Sequence, residues 1–340
     1  QRHGDLPSFE LPEDIPVERP KQEEMGDYAT PVCMQLARYA RMAPVKIAEA
    51  IVNRLDAPEF VGEIEIVHPG FVNFRLNEEW LKEQVGAVLD AGQTYGLLDL
   101  GVGRAVQVEY VSANPTGPLH IGSARNAALG DALAAVLEAA GYDVQREYYV
   151  NDAGSRIQVF CETLYARYAQ ALGREDAEVP EEGYHGAYMV ELGQDIAAER
   201  QDEFLNMPLA DALPAIGRLG VSKLVDQIRD DLAMIRIHFD RWFSEQSLYE
   251  GGQYDAIMSL LRQGDYLDLH DGAVWFMATK LGADKDEVVV RSDGTPGYFA
   301  SDIAYHYNKF VERGFDRVID IWGADHQGHV PRMKYMMEAL

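Results

Sequence analysis

Residues 105–123 read AVQVEYVSANPTGPLHIGS. The first eight alternate apolar and polar side chains, the pattern of a strand. Pro115 and Pro118 then hold Asn114 and Gly117 out of helical geometry, so the chain stays extended past the strand and turns sharply. Gly122 removes a side chain where a flat or charged ligand would approach the backbone. His120 sits at the start of a predicted helix, where free N–H groups and the helix dipole favour phosphate. An isolated His-x-Gly is most simply a structural turn. Here the strand before it, the helix after it and both prolines agree on an anion site.

Outward from this turn, the helix SARNAALGDALAAVLEAAG (123–141) and the strand DVQREYYV (143–150) complete a βαβ unit. That unit implies an α/β fold with a doubly wound parallel sheet. Residues 155–236 keep helical periodicity around a polar loop, GREDAEVPEEGYHG (173–186). AVWFMAT (273–279) and DEVVVRSDG (286–294) flank a charged turn and predict an antiparallel β insertion in the sheet's crossover. The sheet resumes at RVIDIW (317–322) and ends in Gly323 and the polar string ADHQGH, at the kind of strand end where open α/β sheets bind ligands. Upstream, residues 30–55 hold two helices separated at Pro44. Residues 62–76 alternate on both sides of His68, Pro69 and Gly70 as a hairpin does, and NEEWLKEQVGAVLDAG (77–92) returns to helical period. The expected organisation is a small α+β domain over 1–98 and a larger domain over 99–340, with a helical and antiparallel β insertion at about 155–295.

Thirty basic and 56 acidic side chains give a formal charge of −26, which repels polyanions at long range and argues against nonspecific nucleic-acid binding. Local patches still permit RNA. Cys33 and Cys161 lie far apart without C-x-x-C or Cys/His spacing, so neither a disulfide framework nor structural zinc is expected, and a reducing cytoplasm fits. The most apolar helical stretch carries Asp131 and Glu138 and is too polar to span a bilayer, and the start is not a signal peptide. The chain opens without methionine and stops within a helical pattern, as a piece of a longer protein does.

ANPTGPLHIGS resembles the extended HIGH signature of class I aminoacyl-tRNA synthetases. Its flanks, VEYVSANPTGPLHIG, together with GDYAT (26–30), RSDGTPGYFASDIAYH (291–306) and WGADHQGH (322–329), resemble arginyl-tRNA synthetases along the whole chain. The resemblance implies a Rossmann-like catalytic domain and an arginine–tRNA ligase activity. In that reaction ATP and arginine form arginyl-adenylate, and the arginyl group passes to tRNA(Arg). It implies His120 and Ser123 as catalytic groups, and Pro118, His120, Gly122, Ser123, Gly323, Asp325 and His326 around ATP. It places Glu109, Ser112, Asn114, Tyr298, Asp302 and Gln327 around arginine, whose planar guanidinium calls for carboxylates in fork geometry. Tyr298 and Asp302 stand at i and i+4, on one face of a helix. The family's signature ends in a second histidine where this chain has Ser123. A hydroxyl there can donate to a phosphate oxygen or cap the helix, so a working variant is expected.

His326 and His329 share a spacing that metals use, but no third ligand follows at a fitting distance, so no structural metal is expected; Mg²⁺ is expected to arrive with ATP. Asn151 and Asp152 precede Gly154, as a second rim of the pocket or, more simply, a helix cap would. The N-terminal domain resembles the family's module that contacts the tRNA elbow. Arg38, Arg41, Lys46 and Arg54 fit that contact and a solvated helix face equally well. The family continues to a KMSKS-type loop and a helical anticodon-binding domain, neither of which occurs before Leu340, so these 340 residues alone are expected to turn over little. The expected partners are tRNA(Arg), L-arginine and ATP, with no DNA and no membrane, for a cytoplasmic monomer. Two alternatives compete: a degenerate synthetase paralogue that binds arginine or a partner, and another class I nucleotidyl-transfer enzyme.

Overall fold

The computed structural model describes Leu6, Pro7, Phe9, Pro12 and residues 14–340. It divides into two compact units, Gln1–Gly96 and Leu97–Leu340. In the first, β1 (Tyr28–Thr30), α1 (Val32–Ala40), α2 (Pro44–Val52), β2 (Val61–Val67), β3 (Phe71–Leu76) and α3 (Glu78–Ala91) follow in order. Pro44 opens α2, where its missing N–H would have had no helical partner anyway. Asn77 caps α3 by accepting from the Glu79 N–H at 2.8 Å. β2 and β3 form the expected hairpin and β1 joins it, giving an antiparallel sheet in the order β1-β3-β2. Cys33, Leu36, Ile47 and Val72 fill its core. Arg38, Arg41, Lys46 and Arg54 are exposed, and Lys46 pairs with Glu49.

The second unit runs β4 (Ala105–Glu109), α4 (Ile121–Ala139), β5 (Asp143–Val150), α5 (Ser155–Ala171), α6 (Ala187–Arg200) and α7 (Leu209–Met234). Then come β6 (Arg241–Ser244), α8 (Gln246–Glu250), α9 (Gln253–Gln263), β7 (Leu267–His270), β8 (Ala273–Phe276) and β9 (Glu287–Val290). The last elements are α10 (Tyr298–Tyr307), a π-helical turn (Asn308–Glu312), β10 (Arg317–Asp320) and α11 (Val330–Ala339). Four parallel strands lie in the order β10-β4-β5-β6. β6 therefore divides the stretch 155–295: helices precede it, and the antiparallel sheet β7-β8-β9 follows it.

The strand pattern of β4 places Val106 and Val108 on one face with Ala127 and Ala134 of α4. The inward face of α4 is small (Ser123, Ala127, Gly130, Ala134), so the helix lies close on the strand. A Cβ at Gly130 would stand 2.2 Å from the Tyr110 ring. The other face of β4 is also buried, although it is polar: Gln107 is 0% and Glu109 7% exposed. α10 and the π turn cover it, because Lys309 of that turn reaches Glu109. Parallel strands covered on both faces usually read as continuous apolar runs; this one alternates because its second partner is a buried polar layer.

Candidate active site

From β4 the chain moves to β5 and then β6 on one side, and later returns to lay β10 against β4 on the other. Where the order reverses, the carboxyl ends of β4 and β10 part and leave a crevice, the place such sheets bind ligands. A cleft of about 1450 Å³ opens there. Glu109, Ser112 and Asn114 enter it from the end of β4, His120, Gly122 and Ser123 from the start of α4, and Asp302 from α10. Trp322, Gly323, His326 and His329 enter from the end of β10, and Trp275, Lys285 and Arg291 from the antiparallel insertion.

The anion side is built on His120. Its backbone is extended at the N-cap of α4, and its Nδ1 accepts the Gly122 N–H at 3.0 Å. A ring nitrogen that accepts carries no proton, so Nε2–H is the donor left for a ligand. Gly122 makes this fold-back possible, since a Cβ there would come 2.8 Å from the ring's Cε1. The sequence suggested a row of free helix N–H groups. Instead, Gly122's is taken by the ring and Ser123's turns to the His120 carbonyl at 2.9 Å. The anion site is therefore the ring donor with the helix dipole behind it. Because His120 is the cap, Ser123 is not; it is buried at the cleft wall. Two tyrosines fix the turn: Tyr148 donates to the Ala113 carbonyl and Tyr188 to the Thr116 carbonyl, each at 2.8 Å.

The opposite side is acidic. Asp302 makes no ion pair among the described residues, and burial pushes its carboxyl up to about 6, against weaker pulls from His306 and Arg332. Glu245 follows β6 and lines a small adjoining pocket with Ser301, Gly297 and Arg291. Its Oε2 has no hydrogen-bond partner among the described residues, and burial raises its carboxyl to about 7.

Glu109 is differently placed. Lys309 donates to its Oε2 at 2.6 Å and Ser112 Oγ to its Oε1 at 3.0 Å, and the same ammonium reaches Asp320 Oδ1 at 2.8 Å. Burial raises Glu109, while at Asp320 the Lys309 and His306 partners outweigh burial and hold it well below the usual carboxylate range. Glu109 therefore meets the cleft already paired.

Of the sequence-derived site residues, Glu109, Ser112, Asn114, His120, Gly122, Ser123, Asp302, Gly323 and His326 line this one cleft. Pro118 and Gln327 are exposed and do not line it. The side chains of Tyr298 and Asp325 lie outside those described. Asn151 lines the cleft, but Asp152 does not cap α5, whose N-cap is Gly154. Asp152 instead accepts from Ser244 Oγ at 2.6 Å and from the Gln246 N–H at 2.9 Å, tying β5 to the end of β6. Sequence reasoning missed Asn126, Glu245 and Lys309.

Residues 5–76 match the family described as "Arginyl tRNA synthetase N terminal domain" and residues 84–338 the one described as "tRNA synthetases class I (R), catalytic domain". The chain is 48% identical over 340 residues to an arginine–tRNA ligase of Dehalococcoides mccartyi, covering 100% of this chain and 61% of that protein. Against one from Caldanaerobacter subterraneus it is 48% identical over 336 residues, covering 98% and 60%. The solved arginyl-tRNA synthetase of Thermus thermophilus superposes with a TM-score of 0.57 at 29% identity, over 87% of this chain and 50% of that one. The chain thus spans about 60% of the length of the curated relatives it matches.

Proposed function

Since the chain belongs to the arginyl-tRNA synthetases of class I, we propose that its cleft activates L-arginine with ATP and passes the arginyl group to tRNA(Arg). The observation that carries this reading is the division of one cleft: a preorganised anion donor at His120 on one wall and a desolvated acid at Asp302 on another, on either side of the β4–β10 switch point.

The phosphates lie at the start of α4, with His120 Nε2–H as donor and the helix dipole behind it. Ser123, at the same wall, supplies a hydroxyl where the family has its second histidine. Asp302 takes the guanidinium, with Glu245 behind it as a second acid. Asn114 holds the α-carboxylate end, and Trp322 with His326, ring centroids 5.9 Å apart, forms the wall for the nucleoside. Adenylate formation is an in-line displacement of pyrophosphate by the arginine carboxylate, so these residues work by holding the reactants in line and stabilising charge. Mg²⁺ accompanies the ATP phosphates; no His, Cys, Asp and Glu cluster suited to a metal occurs among the described residues. No helix among them is long and apolar enough to cross a membrane.

The test is ATP–pyrophosphate exchange by the full-length protein with tRNA present, run across several amino acids. Exchange that depends on arginine supports the assignment. Exchange driven equally by another amino acid, or none at all, overturns it.

A further inference from the structure

The end of β4 is strained. Val111 and Ser112 both have positive φ, 64° and 38°, and the Ser112 N–H donates to the Tyr110 carbonyl at 2.9 Å around Val111, a γ-turn. A β-branched residue is rare in that conformation, which persists only where surrounding contacts fix it. The γ-turn leaves the Val111 N–H pointing away from the strand. Asn126, six residues into α4 from His120, accepts it with Oδ1 at 2.7 Å. The same amide donates through Nδ2 to the Ile321 carbonyl at 2.9 Å, the first residue past β10. Here the strands are parting: the last rung between them is the Ile321 N–H to the Glu109 carbonyl at 2.9 Å. One turn further along α4, Gly130 lies too close to Tyr110 for any side chain, so the helix cannot slide on β4 without breaking these bonds.

We infer that Asn126 is a positioning residue, a clamp that locks the start of α4 to both strand ends and so holds His120, the Ser112–Asn114 segment and the Ile321–Gly323 segment in register for adenylate formation. Each bond alone is ordinary; together they join three walls of the cleft through one planar side chain. An aspartate has the same shape and would still accept from Val111, but it turns an oxygen toward the Ile321 carbonyl. Alanine loses both bonds. The inference rests on the adenylation reading above and predicts a particular split. Misplacing His120 and the α-phosphate by about 1 Å costs on the order of 10²-fold in rate, whereas on the arginine side the clamp steadies Asn114 alone, and its bonds to Val111 and Ile321 do not reach Asp302 on α10.

Full-length N126A and N126D should therefore lose about 10²-fold in kcat for arginine-dependent exchange, with a smaller rise in KM for arginine, about tenfold or less, since the Asn114 contact is loosened while the Asp302 contact is kept. A folded N126D with wild-type kcat, or equal losses in kcat and in arginine affinity, overturns the clamp. If both variants fail to fold, amide hydrogen exchange on the wild-type protein decides: the Val111 N–H should exchange slowly although it lies outside any strand, and rapid exchange there overturns the clamp. If the wild-type protein shows no arginine-dependent exchange, the functional reading fails, and that same amide measurement still decides whether the clamp exists.

Discussion

Acid titration of arginine binding tests the pocket most directly. Asp302 is raised to about 6 and Glu245 to about 7, in both cases chiefly by burial. The groups whose fields reach Asp302 are His306, Arg332, Glu109 and Asp320, and those around Glu245 are Ser301, Asp302, Asp152 and Tyr149. A guanidinium favours the ionised form of both acids, so binding expels their protons. Affinity is therefore complete above these values and is lost as pH falls through about 7 and then about 6. Going from about pH 8 to about pH 5.5, protonation of Asp302 alone weakens arginine by about 4-fold, and protonation of Glu245 as well brings the loss to on the order of 10²-fold. Calorimetric titration in buffers of different ionisation enthalpy would read both the affinity and the released protons. Thermal shift gives a second reading. Arginine at about 100 times its pH 8 dissociation constant stabilises by about 2.7 kcal/mol there, and at pH 5.5 by about 1.9 kcal/mol if only Asp302 titrates and about 0.3 kcal/mol if both do. Glu245→Gln should leave only the shallower dependence. An affinity that is flat across this range, with no proton release, would refute the assignment of arginine to Asp302.

His120→Ala should lower kcat for exchange by about 10²–10³-fold with little change in arginine affinity, the usual cost of one preorganised donor. Gly122→Ala, whose Cβ would displace the His120 ring, should reproduce part of that loss in steady-state assays while His120 remains present. Ser123→Ala should slow exchange by at least about 10-fold without shifting Tm, because His120 already caps α4; an unchanged rate removes Ser123 from the chemistry. Lys309→Met leaves Glu109 and Asp320 buried without their shared cation and should cost about 3–5 kcal/mol in denaturant unfolding, with much of it recovered on adding Glu109→Gln and Asp320→Asn.

What could be read from the sequence was written locally. Pro115, Pro118 and Gly122 constrain their own backbone, so the turn at 113–123 and the helix after it were legible, as were the Pro44 break and the hairpin at 68–70. Four-residue strands such as β6 (RWFS) and β7 (LDLH) are too short to show a period, so neither stands out in the sequence. The polar positions of β4 read as a solvent face because pattern alone cannot tell water from a buried polar layer. Asn126 looks like any polar residue in a helix. Its task appears only once β10, nearly 200 residues later, is laid beside β4. Glu245 likewise acquires meaning only from α10 packing over the end of β6.

The strand register explains why the acids of this sheet divide into two groups. Asp320, Glu109 and Glu147 stand side by side on β10, β4 and β5, with Arg241 of β6 next in the row. Adjacent strands are about 4.8 Å apart, so three carboxylates in a buried row repel strongly unless cations are brought to them. One helix brings them. His306 reaches Asp320 at 2.9 Å, Lys309 bridges Asp320 and Glu109, and Arg313 grips both oxygens of Glu147 at 2.5 and 3.0 Å. The π turn at 308–312 carries Lys309 and is capped by Arg313, so it sets the alignment of these two cations on the sheet. The row is thereby compensated from within and presents little free charge to a ligand. Asp302, one turn before His306, and Glu245 receive no such cation among the described residues, so burial leaves them raised to about 6 and about 7 and open to a cationic ligand. A neutral isostere of arginine would leave their charge uncompensated, and a lysine ammonium would bring charge without the planar fork that two carboxylates can share. The preference for a guanidinium proposed above thus rests on which acids the fold pairs as much as on which it points into the cleft.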